Sequence, residues 1–110
     1  MSYREYLKHI LDETEFLLPK VAGIEKNEFL KDEVLKRAFV RSLEIIGEAT
    51  KKLPDDVRER HDKIDWRAIA GTRDKLIHDY LGIDYDIIWD IVTNEIPNLR
   101  THIKEMLKKD

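Results

Sequence analysis

Apolar residues recur at three- and four-residue steps along most of the chain, which places them on one face of an α-helix. Ser2 followed by Glu5 is a capping-box signature, and the first predicted helix runs from there to about Gly23. Its apolar positions are Tyr3, Leu7, Ile10, Leu17 and Val21. No stretch shows the repeated alternation of apolar and polar residues that is typical of strands. The pattern therefore predicts an all-α protein.

A second apolar pattern begins around Asn27 and is stopped by Pro54. It predicts one helix of about 26 residues, long for a globular protein and suited to the central rod of a bundle. Within it, Gly47 costs about 1 kcal/mol relative to alanine, so we expect another helix to approach closely there. The apolar side of this helix is expected to carry Leu30, Val34, Ala38, Ile45, Ala49 and Leu53.

The charged stretch 54–64 predicts a short helical turn or a loop. Asp65 can then cap a third long helix, predicted over residues 66–81, and Gly82 is the residue expected just past its end.

Asp84 or Asp86 can cap a fourth segment, and Pro97 either separates that segment from a last helix or kinks it into one. The apolar positions of these two segments are Ile87, Ile88, Ile91, Val92, Leu99, Ile103 and Leu107. Residues 1–110 are therefore expected to form a single domain, an antiparallel bundle of four to five helices.

Composition excludes several classes of function. The chain is 42% hydrophobic and 39% charged, which favours a folded domain, and no apolar run approaches a membrane span. We therefore expect a cytoplasmic protein without membrane association. It has no cysteine, and His9, His61 and His102 lack metal-ligand spacing, so we expect no metal. The net charge of −3 gives no global attraction to nucleic acid, and any RNA contact requires a local patch.

The segment from Gly71 to Tyr80 carries the candidate chemistry. Asp74 and His78 are four residues apart on one helix face, so the carboxylate can orient the imidazole. Arg73 and His78 are five apart, about 140° around the helix and some 7–8 Å along its axis. One helix does not bring them into one tight pocket, but a second copy related by a two-fold axis could build a shared cleft. From spacing alone, such a pair more often marks a solvated face.

These residue types suit a phosphodiester substrate. Arginine offers a permanently charged fork for phosphate oxygens and for charge that develops in the transition state. Histidine titrates near neutrality, so one imidazole could accept the proton of a 2′-hydroxyl while another protonates the leaving oxygen.

The run Arg73-Asp74-Lys75-Leu76-Ile77-His78 resembles the signature of HEPN ribonucleases, and His78-Asp79-Tyr80 completes the longer R-x4-H-x-Y form of HepT-like toxins. Residues 44–49 with 52–54 resemble the second-helix block of that family. Residues 64–67, with Ile69 and Gly71, resemble its entry to the catalytic helix. The likeness spans nearly the whole chain. The family most often has asparagine after the arginine, and here the charged Asp74 replaces it.

The resemblance implies a homodimer whose paired motifs face a shared cleft and cut RNA, either tRNA or mRNA, without metal or cofactor. Arg73 would stabilise phosphate, His78 would be the general acid or base, and Asp74 and Glu48 would support them. Tyr80 would accept AMP from a minimal nucleotidyltransferase antitoxin. That modification would silence the toxin by adding bulk and negative charge beside the cleft.

Other interpretations compete with this one. The chain could instead be a non-catalytic nucleotide- or substrate-binding subunit of a two-chain nucleotidyltransferase. Glu48 could be a solvated or helix-pairing acid, and Trp66 and Trp89 are expected to be core or interface anchors. A basic cluster could guide RNA, but interspersed acids favour a solvated face; it consists of Lys51, Lys52, Arg58, Arg60, Lys63 and Arg67.

Overall fold

A computed structural model describes residues 2–78 and 80–109, with the backbone alone at residue 80. These residues form helices joined by short turns and contain no strand, which confirms the all-α prediction. The helices are α1 (Tyr3–Ala22), α2 (Lys26–Lys31), α3 (Glu33–Lys51), α4 (Asp55–Arg60), α5 (Trp66–His78), α6 (Tyr85–Asn94) and α7 (Ile96–Lys109). Five of them have ten residues or more and build the expected bundle, while the homodimer stays a prediction.

The prediction of one long second helix is wrong, because the chain breaks at Asp32 into α2 and α3. Asp32 has an extended backbone (φ −97°, ψ 97°), and its carboxylate accepts a hydrogen bond from the Leu35 amide at 2.9 Å. An aspartate that bonds locally in this way competes with the continuous helix and caps a new one.

The buried face of α3 matches the predicted one only in part. Val34, which was expected on the apolar side, is 81% exposed, whereas Ala49 and Leu53 are buried as predicted. The large side chains that α3 buries are Phe39, Leu43 and Ile46. The prediction is wrong at Val34 because the pattern treated two helices as one.

The ends of the helices follow the sequence signals unevenly. Ser2 holds the N-cap position of α1, but its side chain makes no capping hydrogen bond. Asp65 caps α5 as predicted, accepting from the Ala68 amide at 3.0 Å. Asp84, the first of the two candidates, caps α6. The short helix α4 confirms the turn expected over residues 54–64.

Helix α5 ends at His78, earlier than the predicted residue 81, and residues 80–82 form a 3-10 turn. Gly82 is therefore not the residue just past the end of this helix, and among the described residues no glycine has a positive φ. A 3-10 turn is tighter than an α-helical one, and it redirects the chain toward α6 directly after the motif.

The core lies between α1, α3 and α7, and α5 packs along α3. Phe29 stacks near Phe39 and Trp89, with ring centroids 4.8 and 5.3 Å away. Trp66 is buried, and its indole N–H donates to the His61 carbonyl at 3.0 Å. Both tryptophans therefore act as packing anchors, as expected. In the part of the chain that the structure describes, no helix has the length and apolar character needed to cross a membrane.

Candidate active site

The crossing of α3 and α5 fixes the position of Arg73. A Cβ atom on Gly47 would lie 2.1 Å from the Cβ of Arg73 and 3.3 Å from its Cα, much closer than atoms can pack. Glycine is thus the residue that lets the two backbones approach. This confirms the close helix contact predicted at Gly47, and the helix that makes it is the one that carries the motif.

Two carboxylates hold the guanidinium of Arg73. Its Nη2 forms an ion pair with Oε2 of Glu48 at 2.8 Å, and its Nη1 donates to Oδ1 of Asp74 at 3.0 Å. Glu48 follows Gly47 on α3, so the close approach and the ion pair belong to one crossing. The Arg73 side chain is only 25% exposed, and it is fixed before any ligand arrives. The structure shows Glu48 as an acid that pairs α3 with α5, and its supporting role in the cleft stays a prediction.

Asp74 links the motif to α3 a second time. Its Oδ1 accepts from Lys51 Nζ at 2.7 Å as well as from Arg73. The hydrogen bond from Lys51, followed by that from Arg73, lowers the pKa of Asp74 below the ordinary 3.8. The expected bond from Asp74 to His78 is not what the structure shows, because this carboxylate turns to two full positive charges instead.

His78 is the last residue of α5, and its side chain is exposed. Arg73, by contrast, opens into a groove between α1, α3 and α5 with a volume of about 340 Å³. This Arg73 groove is lined by Tyr6, His9, Arg41, Glu44, Ile45, Glu48, Ala49, Arg73 and Ile77. The two motif residues therefore face different surroundings within one chain, as the helix geometry suggested.

The other sequence candidates are less informative. Tyr80 begins the 3-10 turn after α5, but its side chain and Asp79 lie outside the described residues, so its role as AMP acceptor stays a prediction. In the basic cluster, Lys51 pairs with Asp74, and Arg58 pairs with Asp55. Such pairing favours a solvated face. Over the described ranges, no group of three or more side chains is arranged to hold a metal ion.

Sequence reasoning missed the contribution of α1 to this site. Tyr6 and His9 line the Arg73 groove, with their rings edge to face and their centroids 6.4 Å apart. It also missed Lys51 as the partner of Asp74. No spacing rule links residues so far apart in sequence, since their proximity comes from helix packing.

The all-helical bundle is consistent with a HEPN-type domain. The family model described as "Ribonuclease HepT-like" matches residues 4–106. The chain is 58% identical over 107 residues to "Putative RNase TTE0752" of Caldanaerobacter subterraneus, covering 97% of this chain and 96% of that one. It is 38% identical to "Probable ribonuclease HepT" of Thermococcus cleftensis, covering 97% of each.

A third relative, "Putative RNase MJ0127" of Methanocaldococcus jannaschii, is 44% identical over 105 residues, covering 96% of this chain and 87% of the relative. No solved structure matches the chain significantly. The protein therefore belongs to the HepT-like ribonuclease family.

Proposed function

We propose that this protein is a metal-independent endoribonuclease and the toxin of a toxin–antitoxin pair. The observation that carries the proposal is the fixed Arg73 at the α3–α5 crossing, on the same helix as an exposed His78. Membership of a ribonuclease family supplies the substrate class, RNA.

The proposed reaction is an intramolecular transfer at phosphorus. The 2′-hydroxyl oxygen attacks the adjacent phosphate as an imidazole removes its proton, and the bond from phosphorus to the 5′-oxygen breaks. A protonated imidazole gives its proton to that leaving oxygen. The products are a 2′,3′-cyclic phosphate and a free 5′-hydroxyl. Arg73 stabilises the charge that develops on the phosphate oxygens, and His78 carries the proton.

A second copy of the chain supplies the second motif in this proposal. One imidazole cannot be base and acid at once, and Arg73 and His78 of a single chain face different surroundings. An exposed apolar side chain lies just beyond the motif: Leu81 is 89% exposed. Burial against a two-fold related copy would remove it from water and bring both motifs to one cleft.

The proposed control is transfer of AMP to Tyr80 by a cognate minimal nucleotidyltransferase. Tyr80 begins the turn directly beyond the catalytic helix. An attached AMP would bring a negative phosphodiester and a bulky nucleoside close to His78, which would repel and block an anionic substrate.

The test is cleavage by the purified protein alone. The expected result is that it cuts single-stranded RNA in excess EDTA, leaves a cyclic phosphate and elutes as a dimer by light scattering. An active protein that needs added metal would contradict the proposed mechanism. Absence of cleavage under any condition would contradict the proposed activity.

The alternative is a non-catalytic subunit that presents nucleotide or substrate to a nucleotidyltransferase. One observation favours it: Glu48 and Asp74 already neutralise Arg73 in the single chain. Expression of this chain by itself separates the two functions. Growth arrest supports the ribonuclease toxin, whereas normal growth together with no RNA cleavage by the unmodified protein supports the binding subunit. AMP on Tyr80 is compatible with both.

A further inference from the structure

The Arg73 groove is lined by side chains that do not belong to the motif on α5. Besides Arg73, it presents a second arginine, Arg41, and an aromatic pair, Tyr6 and His9. Its volume of about 340 Å³ lies at the lower end of the range for small-ligand sites. The groove therefore has room for one small ligand and combines cationic with aromatic walls.

The aromatic wall suits a nucleobase. Proteins that bind single-stranded RNA commonly stack unpaired bases on aromatic side chains, including histidine, whichever base is present. His9 is exposed, whereas Tyr6 is half-buried and packs on the core. The rings meet edge to face, with planes 88° apart, so Tyr6 covers at most one face of the exposed His9 ring. The other face is available to a base.

The cationic wall suits the RNA backbone. Arg41 is 71% exposed, and its acidic neighbour Glu44 is 3.9 Å away, a contact too long and too solvated to hold it firmly. Arg73 lies across the groove on α5, where Glu48 of α3 and the adjacent Asp74 hold its guanidinium. Two acids, Glu44 and Glu48, also line the groove. Because Glu48 and Asp74 neutralise Arg73, Arg41 is the loosely held cation that an RNA strand would meet here.

We infer that the Arg73 groove binds the nucleotide next to the cleaved phosphodiester, with its base on His9 and its phosphate at Arg41. This inference rests on the proposed ribonuclease function, because Arg73 then contacts the reacting phosphate at one end of the groove. Ile77 lines the groove and directly precedes His78, so the groove leads toward the catalytic helix end. His9 and Arg41 are thereby substrate-binding residues and take no part in proton transfer.

The test measures binding of a single-stranded 2′-O-methyl oligonucleotide, which lacks the attacking hydroxyl, by fluorescence anisotropy. His9→Ala is expected to weaken binding by about fivefold or more, the lower end for loss of a base-stacking side chain. Arg41→Ala is expected to weaken binding and to reduce the slope of log K against log salt by about 0.7, one phosphate contact on a single strand. The controls are His102→Ala on α7 and Arg37→Ala, an exposed arginine one turn before Arg41; both should bind like wild type.

The test is completed by cleavage kinetics and by the molecular mass of the dimer. With a cleavable RNA, His9→Ala should raise KM and leave kcat within about twofold, as expected for loss of uniform binding. Cleavage and binding unchanged in both groove variants would overturn this inference and leave the proposed ribonuclease intact. A loss of dimer mass in either variant would also overturn it, because the groove would then be covered by the second copy. Binding that depends on His9 without cleavage by wild type would instead contradict the proposed function and retain the groove as an RNA site.

Discussion

Replacing Gly47 by alanine tests whether the close approach of α3 and α5 holds the motif in place. The new methyl group would start 2.1 Å from the Cβ of Arg73, against the roughly 3.5–4.0 Å at which carbon atoms pack well. Neither atom can rotate away, because both are attached directly to helix backbones. The two helices must therefore separate, and overpacking of this kind costs about 1–3 kcal/mol or more.

The higher helix propensity of alanine offsets about 1 kcal/mol of that cost. We therefore expect a net destabilisation of up to about 2 kcal/mol relative to wild type, measured by urea unfolding with an unchanged m-value. The matched control is Gly71→Ala on α5, where a Cβ would meet nothing within 4 Å. That variant should be neutral or up to about 1 kcal/mol more stable. If Gly47→Ala were as stable as Gly71→Ala, the packing argument would be refuted.

Three further predictions follow from the contacts around the motif. Glu48→Ala frees one side of the Arg73 guanidinium and should lower kcat by about 10- to 100-fold. Because the ion pair is half-exposed, its loss should change the free energy of unfolding by no more than about 0.5 kcal/mol. An unchanged kcat would contradict a role for Glu48 in the site. Because the pKa of Asp74 is lowered in the folded protein, its ionised carboxylate stabilises the fold at pH values above the ordinary pKa of 3.8. This stabilisation is lost as the pH falls through the lowered pKa. Asp74→Asn should therefore flatten the acid side of a stability curve measured by urea unfolding from neutrality to about pH 3, and a curve parallel to wild type would contradict this. Asp65→Ala should lower the free energy of unfolding, measured by thermal unfolding, by about 1 kcal/mol, because it removes an N-cap hydrogen bond. Ser2→Ala should lower it by only a few tenths of a kcal/mol, because the Ser2 side chain makes no such bond. Equal losses in the two variants would contradict the capping geometry.

Local signals in the sequence predicted local structure well. Asp65 and Asp84 cap the helices they precede, and Gly47 marks a helix contact, because each depends on neighbouring backbone or on the absence of one side chain. Asp32 shows the limit of the pattern. Its carboxylate ends one helix and starts another, and a periodicity count weighted toward apolar residues passed over it.

The candidate site was predictable where its residues lie in one motif or in a family-like block. The motif on α5 and Glu48 could be found from spacing and resemblance, but Lys51 and the residues of α1 could not. Lys51 draws Asp74 away from the expected bond to His78, and His9 reaches the Arg73 groove from another helix. Both contacts depend on how helices cross, and a linear pattern carries no information on crossing.

The most direct measurement compares RNA cleavage by wild type, His78→Ala and His102→Ala in EDTA, with circular dichroism and dimer mass checked for each. Loss of a general acid or base should reduce the rate of cyclic-phosphate formation by about 10²- to 10⁴-fold in His78→Ala. His102→Ala, altered on α7 away from the motif, should cleave like wild type. Cleavage by a folded His78→Ala dimer at the wild-type rate would contradict the central assignment of this histidine to the chemistry.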